Sequence, residues 1–328
     1  MKIAVLTAPG TFEIADEPPP TCGPDEILVR VAACGVCASE LDTWQGRGAA
    51  DFPRHPGHEV SGTVLEAGPE VSTLTPGDAV AVWTVERGFA EFVAAKADRC
   101  RPARDLPAEE ALLEPVACAV NAVELADVRL GDDVVIIGAG FMGNLVQQLV
   151  ALRGARHVIV ADTRADALKR ARRLGATAVV DSLAESLPRA VRGLTDGNGA
   201  DVTFEVTGAQ GPLELVGDTT RMSGKIVLVG FHQGAPRKLP LGHWNWMAFQ
   251  IVNAHFRELP TIMRGMTAGM RLLTSRRLSL DGLVTHRFAL ADINEAFRTA
   301  VEKPEGFVKA TVTVSAADEA APGQVEAR

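Results

Sequence analysis

The feature that most constrains this chain is an alternation, from about residue 110 onward, of short apolar β runs with amphipathic helical patterns. Residues 132–140 (DDVVIIGAG) form a buried β run, residues 144–155 show helical periodicity, and residues 157–162 (HVIVAD) form the next run. The rhythm continues with β runs at 177–181, 201–208 and 225–231. This alternation predicts an α/β fold with a doubly wound parallel sheet.

The first hundred residues follow a different rhythm. Short β-rich runs are separated there by Gly, Pro or Asp, as in TPGDA at 75–79. Closely spaced strands and turns predict an all-β, barrel-like domain. After about residue 255 the pattern predicts a helix, a strand-like piece (LVTHRFAL), a second helix and a last strand (FVKATVTV). At 328 residues the chain is long enough for two domains.

The overall charge excludes some classes of function. A net charge of −8 and a pI near 5.5 argue against a nucleic-acid-binding face, which would be basic. No run of about eighteen apolar residues is present, so we expect no membrane insertion. The start, MKIAVLTAPG, predicts a strand and a turn rather than a secretory signal, and we therefore expect a cytoplasmic protein. In that compartment its five cysteines stay reduced.

Three glycines follow the first of the alternating β runs. Gly138, Gly140 and Gly143 form a GxGxxG pattern between a buried strand and a helix. The first glycine allows a tight turn, the second lets backbone approach a pyrophosphate, and the third lets helix and strand pack closely. A free helix N-terminus then faces the phosphates. In this context the pattern predicts a dinucleotide site rather than an unliganded turn.

An acidic residue ends the next β run. A carboxylate at Asp162 can accept both hydrogen bonds of a ribose diol and repels a 2′-phosphate. Arg164, two positions on, either offsets that repulsion in part or is simply solvated. We therefore predict NAD as the cofactor, with NADP the less favoured choice.

A second motif lies in the β-rich half. Cys34 and Cys37 form a CxxC, and GHEVSGTVLEAGPEV follows at 57–71. A CxxC with no second pair is a poor structural zinc site, because such sites take four protein ligands. A thioredoxin-type motif would open a helix beside a parallel sheet, which the flanking run EILVRVAA does not predict.

With these motifs the chain resembles the zinc-dependent medium-chain dehydrogenase/reductase family of alcohol and polyol dehydrogenases. Residues 57–71 match that family's zinc signature, and LEPV at 113–116 is similar to the EP motif of sorbitol- and threonine-dehydrogenase-like members. The resemblance covers nearly the whole chain. It implies a Rossmann domain plus a GroES-like β-barrel catalytic domain. The implied boundaries are catalytic at 1–116, NAD-binding at 117–254, a return to the catalytic domain at 255–313, and a flexible tail at 314–328.

The resemblance also implies a catalytic zinc site. Cys37, His58 and Glu114 are the implied ligands, Cys34 is not one, and Glu59 is an implied exchange ligand. Cysteine, histidine and glutamate are all proper zinc donors, and three protein ligands leave one position open for substrate. The lobe that carries a structural zinc in larger members is missing here, because VAVWTVE (80–86) runs directly into RGFAEFV (87–93). We therefore expect one zinc per chain.

Further roles follow from the same resemblance. Ser39 would contact the substrate hydroxyl and pass its proton towards Asp42, which replaces a histidine of liver-type enzymes; Glu40 would orient His58. The implied cofactor contacts are backbone groups of Phe141, Met142, Val229, Gln250 and Val252, with Lys309 near the phosphates. His232 and His255 lie near the predicted cleft without an assigned role.

These observations predict a zinc-dependent oxidoreductase that transfers hydride between NAD(H) and a secondary alcohol or ketone. The glutamate ligand favours a polyol, sugar-like or amino-alcohol substrate, and family members are homodimers or homotetramers. Two alternatives stay open at this point. One is a zinc-free NADPH-dependent quinone or enoyl reductase on the same fold, and the other is a non-catalytic NAD-binding scaffold protein.

Overall fold

The computed structural model describes residues 1–47, 50–84, 86–103, 106–107, 111–256 and 258–314. Its strands in the β-rich domain are β1 (Lys2–Ala8), β2 (Thr11–Asp16), β3 (Glu26–Gly35), β4 (Glu59–Ala67), β5 (Ala79–Trp83), β6 (Phe92–Lys96), β7 (Cys100–Pro102), β14 (His286–Ala289) and β15 (Ala310–Thr313). Its remaining strands are β8 (Asp133–Ile137), β9 (His157–Asp162), β10 (Ala178–Asp181), β11 (Ala200–Glu205), β12 (Thr220–Leu228) and β13 (Gln250–Asn253).

The α-helices connect and cover these strands. They are α1 (Ala38–Trp44), α2 (Leu113–Ala126), α3 (Phe141–Leu152), α4 (Ala165–Arg173), α5 (Leu187–Leu194), α6 (Gln210–Thr219), α7 (Leu241–Trp246), α8 (Leu259–Thr274) and α9 (Ile293–Glu302). Within the described ranges, none of the helices has both the length and the apolar character needed to cross a bilayer.

Six parallel strands form the sheet of the second domain, in the order β10-β9-β8-β11-β12-β13. Counted from β8, this is the 3-2-1-4-5-6 order of a dinucleotide-binding fold, with its switch point between β8 and β11. All five residues of β8 are buried, as expected for a strand covered by helices on both faces. The predicted doubly wound sheet is confirmed.

The β-rich domain is built on a sheet that the end of the chain completes, antiparallel except for the parallel pair β14 and β15. Its strand order is β14-β15-β3-β4-β5-β7, with β6 pairing with β3, so that β15 lies between β14 and β3. Four aromatic side chains pack together under this sheet: Phe12, Trp44, Phe89 and Phe297. Phe297 lies on α9, so the returning segment supplies both a strand and part of the core.

In the chain, helix α8 lies between the parallel sheet and the strands that return to the β-rich sheet. It packs against α2, where Gly265 and Gly269 bring the two helices close together. A methyl group at Gly269 would lie only 2.5 Å from a Val116 side-chain carbon. The domain boundaries at residues 116, 254 and 313 stay predictions. Of the predicted tail, residues 315–328 lie outside the described residues.

Candidate active site

Three potential metal ligands lie together near the end of β3 and the start of β4. Cys37 precedes α1, His58 precedes β4, and Glu59 is the first residue of β4, opposite Gly35 of β3. Their ligand atoms all lie within 4.8 Å of one another, and the described residues contain no second group of this kind. Cys34 is fully buried in β3 and lies outside the group, and burial raises the pKa of its thiol well above the usual value.

Glu40 holds the His58 ring in place. Its Oε1 atom lies 3.0 Å from His58 Nδ1 and accepts a hydrogen bond from Gly57 N at 2.7 Å. Burial lowers the pKa of His58, but the Glu40 carboxylate and the Cys37 thiolate outweigh it, and the pKa rises well above its ordinary value. With Nδ1 engaged by a carboxylate, Nε2 is the ring atom left for a metal.

Glu59 forms a buried ion pair with Lys309. Lys309 Nζ donates to Glu59 Oε1 at 2.7 Å, and both residues are almost fully buried. The other oxygen, Glu59 Oε2, also lies 2.7 Å from the same ammonium nitrogen, without hydrogen-bond geometry. Lys309 Nζ also lies 5.1 Å from the ring centroid of Phe141, the first residue of α3. Lys309 thus lies beside both the ligand cluster and the glycine-rich turn; the sequence predicted a position near the phosphates but not the contact with Glu59.

Glu114 lies beside the group of three, near the start of α2. It is half-buried, and Cys118, one turn further along α2, donates its S–H to Glu114 Oε1 at 3.4 Å. Burial raises the pKa of Glu114; His58 and Lys309 oppose the rise, whereas Glu59 adds to it. Burial also raises the pKa of the Cys118 thiol well above its usual value, so that thiol is neutral.

The residues present fit a zinc ion. Glu59, Glu114 and Cys37 lie around a single lysine, Lys309, and a third carboxylate, Glu40, contacts the His58 ring. Burying such an excess of negative charge is costly unless a cation offsets it. Sulfur, imidazole nitrogen and carboxylate oxygen are the donors that zinc takes.

The two predicted members of the proton path lie on α1. Ser39 Oγ donates a hydrogen bond to Cys37 Sγ at 3.2 Å, which places the hydroxyl beside the cluster. Asp42 lies 3.5 Å from Arg47 Nη1. It also faces the other domain, because a methyl group at Gly234 would come within 3.6 Å of Asp42 Oδ2. Helix α1 therefore meets the segment that follows β12.

The glycine-rich turn has the geometry that its sequence predicts. Gly138 adopts φ +112°, and a Cβ atom at Gly143 would lie 1.8 Å from the Gly138 carbonyl oxygen. Gly140, by contrast, has nothing within 4 Å of the same position, so the space above it is open. Phe141 and Met142 begin α3, where backbone N–H groups are free to meet an anion.

Asp162 is anchored at the end of β9. Its Oδ2 accepts a hydrogen bond from Ala139 N at 2.8 Å, and its Oδ1 accepts one from Arg164 N at 2.9 Å. Burial raises the pKa of Asp162, but the Arg164 side chain and these backbone groups lower it below its usual value. Arg164 is thus paired with Asp162 rather than solvated, and its Nη1 also donates to Phe307 O at 3.2 Å.

The strand register places the predicted cofactor contacts at different heights along the sheet. Gln250 pairs with Lys225 and Val252 with Val227, whereas Val229 follows the end of β12. Parallel strands advance about 3.3 Å per residue, so Gln250 and Val252 lie below the carboxyl edge at which Val229 lies. The cofactor contacts of Val229, Gln250 and Val252 stay predictions.

Three residues that follow β13 occupy the carboxyl edge instead: Ala254, His255 and Phe256. Ala254 N donates to Leu228 O at 2.9 Å, which fixes the segment beside Val229. The His255 ring lies 5.2 Å from that of Phe231. They lie 25 positions after Val229, Gly230 and Phe231, which is the spacing between paired residues of β12 and β13.

Comparisons with known proteins agree with this architecture. The profile of the alcohol dehydrogenase GroES-like domain matches residues 23–105, and that of the zinc-binding dehydrogenases matches residues 142–264. Sorbitol dehydrogenase from Ovis aries is 32% identical over 90% of this chain and 92% of its own length. The chain therefore belongs to the zinc-dependent medium-chain dehydrogenase/reductase family, and the predicted membership is confirmed.

Solved structures give the same result for the fold. Galactitol-1-phosphate dehydrogenase from Escherichia coli is 26% identical, with a TM-score of 0.82 over 95% of this chain and 100% of that one. 2R,3R-butanediol dehydrogenase from Bacillus subtilis, at 24% identity, has a TM-score of 0.83 over 96% and 99% of the two chains. The predicted combination of a Rossmann domain with a GroES-like domain is confirmed.

Two glycine substitutions test the turn. We expect Gly143→Ala to destabilise the protein by about 1–3 kcal/mol, because its methyl group overlaps the Gly138 carbonyl. Gly140→Ala meets no atom and should leave the melting temperature unchanged, yet weaken ADP-ribose binding at least tenfold by filling the space over the turn. Thermal melts and calorimetric titration measure both. Unchanged ADP-ribose affinity in Gly140→Ala would show that no pyrophosphate approaches that glycine.

Proposed function

We propose that this protein is a zinc-dependent dehydrogenase that transfers hydride between NAD(H) and a secondary alcohol or ketone of the polyol, sugar-like or amino-alcohol type. The observation that carries the proposal is the cluster of Cys37, His58 and Glu59, which Lys309 links to the glycine-rich turn. The likeness to sorbitol dehydrogenases supports the substrate class. A zinc-free reductase would have no use for these ligands.

The proposed ligands are Cys37, His58 and Glu114, with Glu59 as an exchange ligand. Lys309 already offsets the charge of Glu59 through a contact of 2.7 Å. Glu114 instead contacts the neutral thiol of Cys118, so its own charge calls for another cation. Cys37, His58 and Glu114 are each half-buried, which is consistent with a site that substrate reaches from the cleft.

When bound, zinc would supply Lewis acidity that makes a substrate hydroxyl more acidic, and NAD would supply the hydride acceptor. Ser39, whose hydroxyl lies 3.2 Å from Cys37 Sγ, is placed to accept the substrate proton as it gives up its own hydroxyl proton towards Asp42. Asp42 lies three positions further along α1. Its side chain is partly exposed and would pass the proton to solvent. Glu40 keeps the His58 ring oriented throughout.

We further propose a single zinc per chain. The segment 84–91, where larger members carry their cysteine-rich lobe, contains no cysteine. Of the other thiols, Cys34 is fully buried, and burial raises the pKa of Cys100 to about 12, which makes both poor metal ligands. The cytoplasmic location stays a prediction from the sequence.

Replacing the thiolate ligand tests the proposed function. We expect Cys37→Ser to lose its zinc and its turnover with secondary alcohols, because one of three ligands is removed, while its affinity for NADH stays within about threefold of wild type. Metal analysis, NADH titration and NAD reduction against a panel of polyols measure the three quantities. Cys34→Ala is the matched control and should keep its zinc.

Three outcomes separate the candidate functions. Zinc and polyol turnover that depend on Cys37 support the dehydrogenase. Full activity of a metal-free preparation, or quinone reduction with NADPH, would refute it in favour of a zinc-free reductase. Zinc and NADH binding without turnover on any alcohol or ketone would indicate a scaffold protein.

The cofactor proposal is NAD rather than NADP. It rests on Asp162, whose carboxylate is held at the end of β9 beside the turn by Ala139 N. We expect Asp162→Ser to lower kcat/KM for NAD at least tenfold, because two ribose hydrogen bonds are lost, and to raise kcat/KM for NADP, because Arg164 is released. Steady-state kinetics with both cofactors measure the ratio.

The matched control for that experiment is Asp181, which ends the neighbouring strand β10 and pairs with Asp162 in register. Asp181→Ser should leave the NADP to NAD ratio unchanged. If Asp162→Ser leaves that ratio unchanged as well, Asp162 does not select the cofactor.

We propose that the protein is a homo-oligomer in which a second copy covers β13. This strand is at the edge of the parallel sheet, and the Ile251 side chain on it is 46% exposed. Nearby Trp246 is 79% exposed. An apolar sheet edge of this kind normally pairs or is covered.

A charge at the edge tests the oligomer. We expect Ile251→Lys to shift the mass in solution towards the 34.7 kDa of one chain, because a buried lysine opposes pairing. Light scattering after size-exclusion chromatography measures the mass. The control Leu183→Lys, at a side chain that is 78% exposed in another part of the surface, should leave it unchanged. A monomeric wild type would contradict the proposal.

A further inference from the structure

A histidine with no role in the proposed chemistry is tied into a polar network at the carboxyl edge of the parallel sheet. We propose that His232 is a positioning residue: together with Arg237 and the buried Glu205, it holds the backbone against which the nicotinamide half of the cofactor binds. This inference rests on the proposed function, since it concerns the same cofactor.

Glu205 is the centre of the network. It ends β11, and its side chain is completely buried. Its Oε1 atom accepts hydrogen bonds from Thr207 N at 2.7 Å and Gly208 N at 3.1 Å, and the Thr207 hydroxyl also donates to it. A buried carboxylate therefore fixes the turn that follows β11.

His232 connects this carboxylate to the segment that follows β12. Its Nε2 atom lies 2.9 Å from Glu205 Oε2, a close polar contact without hydrogen-bond geometry, and its side chain is only 15% exposed. On the other side of the ring, Arg237 Nε donates to His232 Nδ1 at 3.2 Å. Because an arginine is always a donor, Nδ1 must be the acceptor, and the ring proton is then on Nε2, the atom in close contact with Glu205.

Arg237 closes the network around both segments. Its Nη2 atom donates to Gly208 O at 2.9 Å and to Gln233 O at 3.2 Å. The two backbones are in direct contact, since a methyl group at Gly230 would lie 2.2 Å from Gly208 N. The segments 206–209 and 229–237 therefore form one rigid wall, with His232 at the join.

The position of this wall indicates what it holds. A dinucleotide lies across the switch point of such a sheet, here between β8 and β11. Asp162 is on the β9 side and marks the adenosine half, so the nicotinamide half lies over β11 and β12. Gly234 of the same wall approaches Asp42 on α1, next to the metal cluster. The wall thus lies where nicotinamide and substrate have to meet.

The test compares two ligands that differ in the nicotinamide ring. ADP-ribose occupies the adenosine and pyrophosphate subsites, whereas NADH also needs the wall. For His232→Ala in the zinc-loaded protein, we expect the Kd for NADH to rise about tenfold and the Kd for ADP-ribose to stay within twofold of wild type. Quenching of the four tryptophans by NADH and calorimetry with ADP-ribose give the two constants.

Three further variants sharpen the comparison. His232→Gln keeps an N–H donor for the contact with Glu205 and should restore NADH binding to within about threefold of wild type. Arg237→Gln, at the outer side of the network, should repeat the His232→Ala pattern and serves if that variant does not fold. His243→Ala on α7, a histidine that is 41% exposed and lies outside this network, is the matched control and should change neither constant.

Unchanged NADH affinity in both His232→Ala and Arg237→Gln would overturn the inference. An equal loss for NADH and ADP-ribose would overturn it as well, because the network would then support the fold as a whole. A wild-type protein that binds neither ligand would instead refute the proposed function, and the inference with it. A raised KM for the alcohol with unchanged NADH affinity would show that His232 acts on substrate and not on the cofactor.

Discussion

A buried excess of negative charge, offset within the protein by the ammonium group of Lys309, determines how the two domains meet. Lys309 directly precedes β15, the strand that returns from the end of the chain to the β-rich sheet. Its ammonium contacts Glu59 beside Cys37 and His58, and it lies over the ring of Phe141 at the start of α3. A buried carboxylate pair or cluster is stable only with matching cations. The segment that carries Lys309 and β15 is therefore part of the site, together with the ligands.

Much of the fold could be predicted because its signals are local. The GxGxxG turn is required by a backbone contact between Gly138 and Gly143, and the alternation of apolar runs with helices follows from covering β8 on both faces. The packing partner of α8 could not be predicted in the same way. Helix α8 has an ordinary amphipathic pattern, and only the structure shows that its Gly265 and Gly269 pack against α2.

For the candidate site too, local motifs could be predicted from the sequence, whereas the contacts made in the folded chain could not. Residues inside a contiguous motif, such as Cys37 and His58, were predicted from the sequence and do lie together. The contact of Lys309 with Glu59 across 250 positions was not predicted, and neither was the local contact of Cys118 with Glu114 one turn along α2. The height of Gln250 and Val252 along the sheet could not be predicted either, because parallel register depends on pairing partners rather than on composition.

The claim on which everything else depends is that one thiolate, one imidazole and one carboxylate hold a zinc ion. X-ray absorption at the zinc K edge of the purified protein tests it most directly, because sulfur and lighter ligands scatter at different distances. We expect one sulfur at about 2.3 Å and about three nitrogen or oxygen ligands at about 2.0–2.2 Å, the fourth position being filled by solvent. Two or more sulfur ligands, or a protein that retains no zinc, would contradict the proposed site.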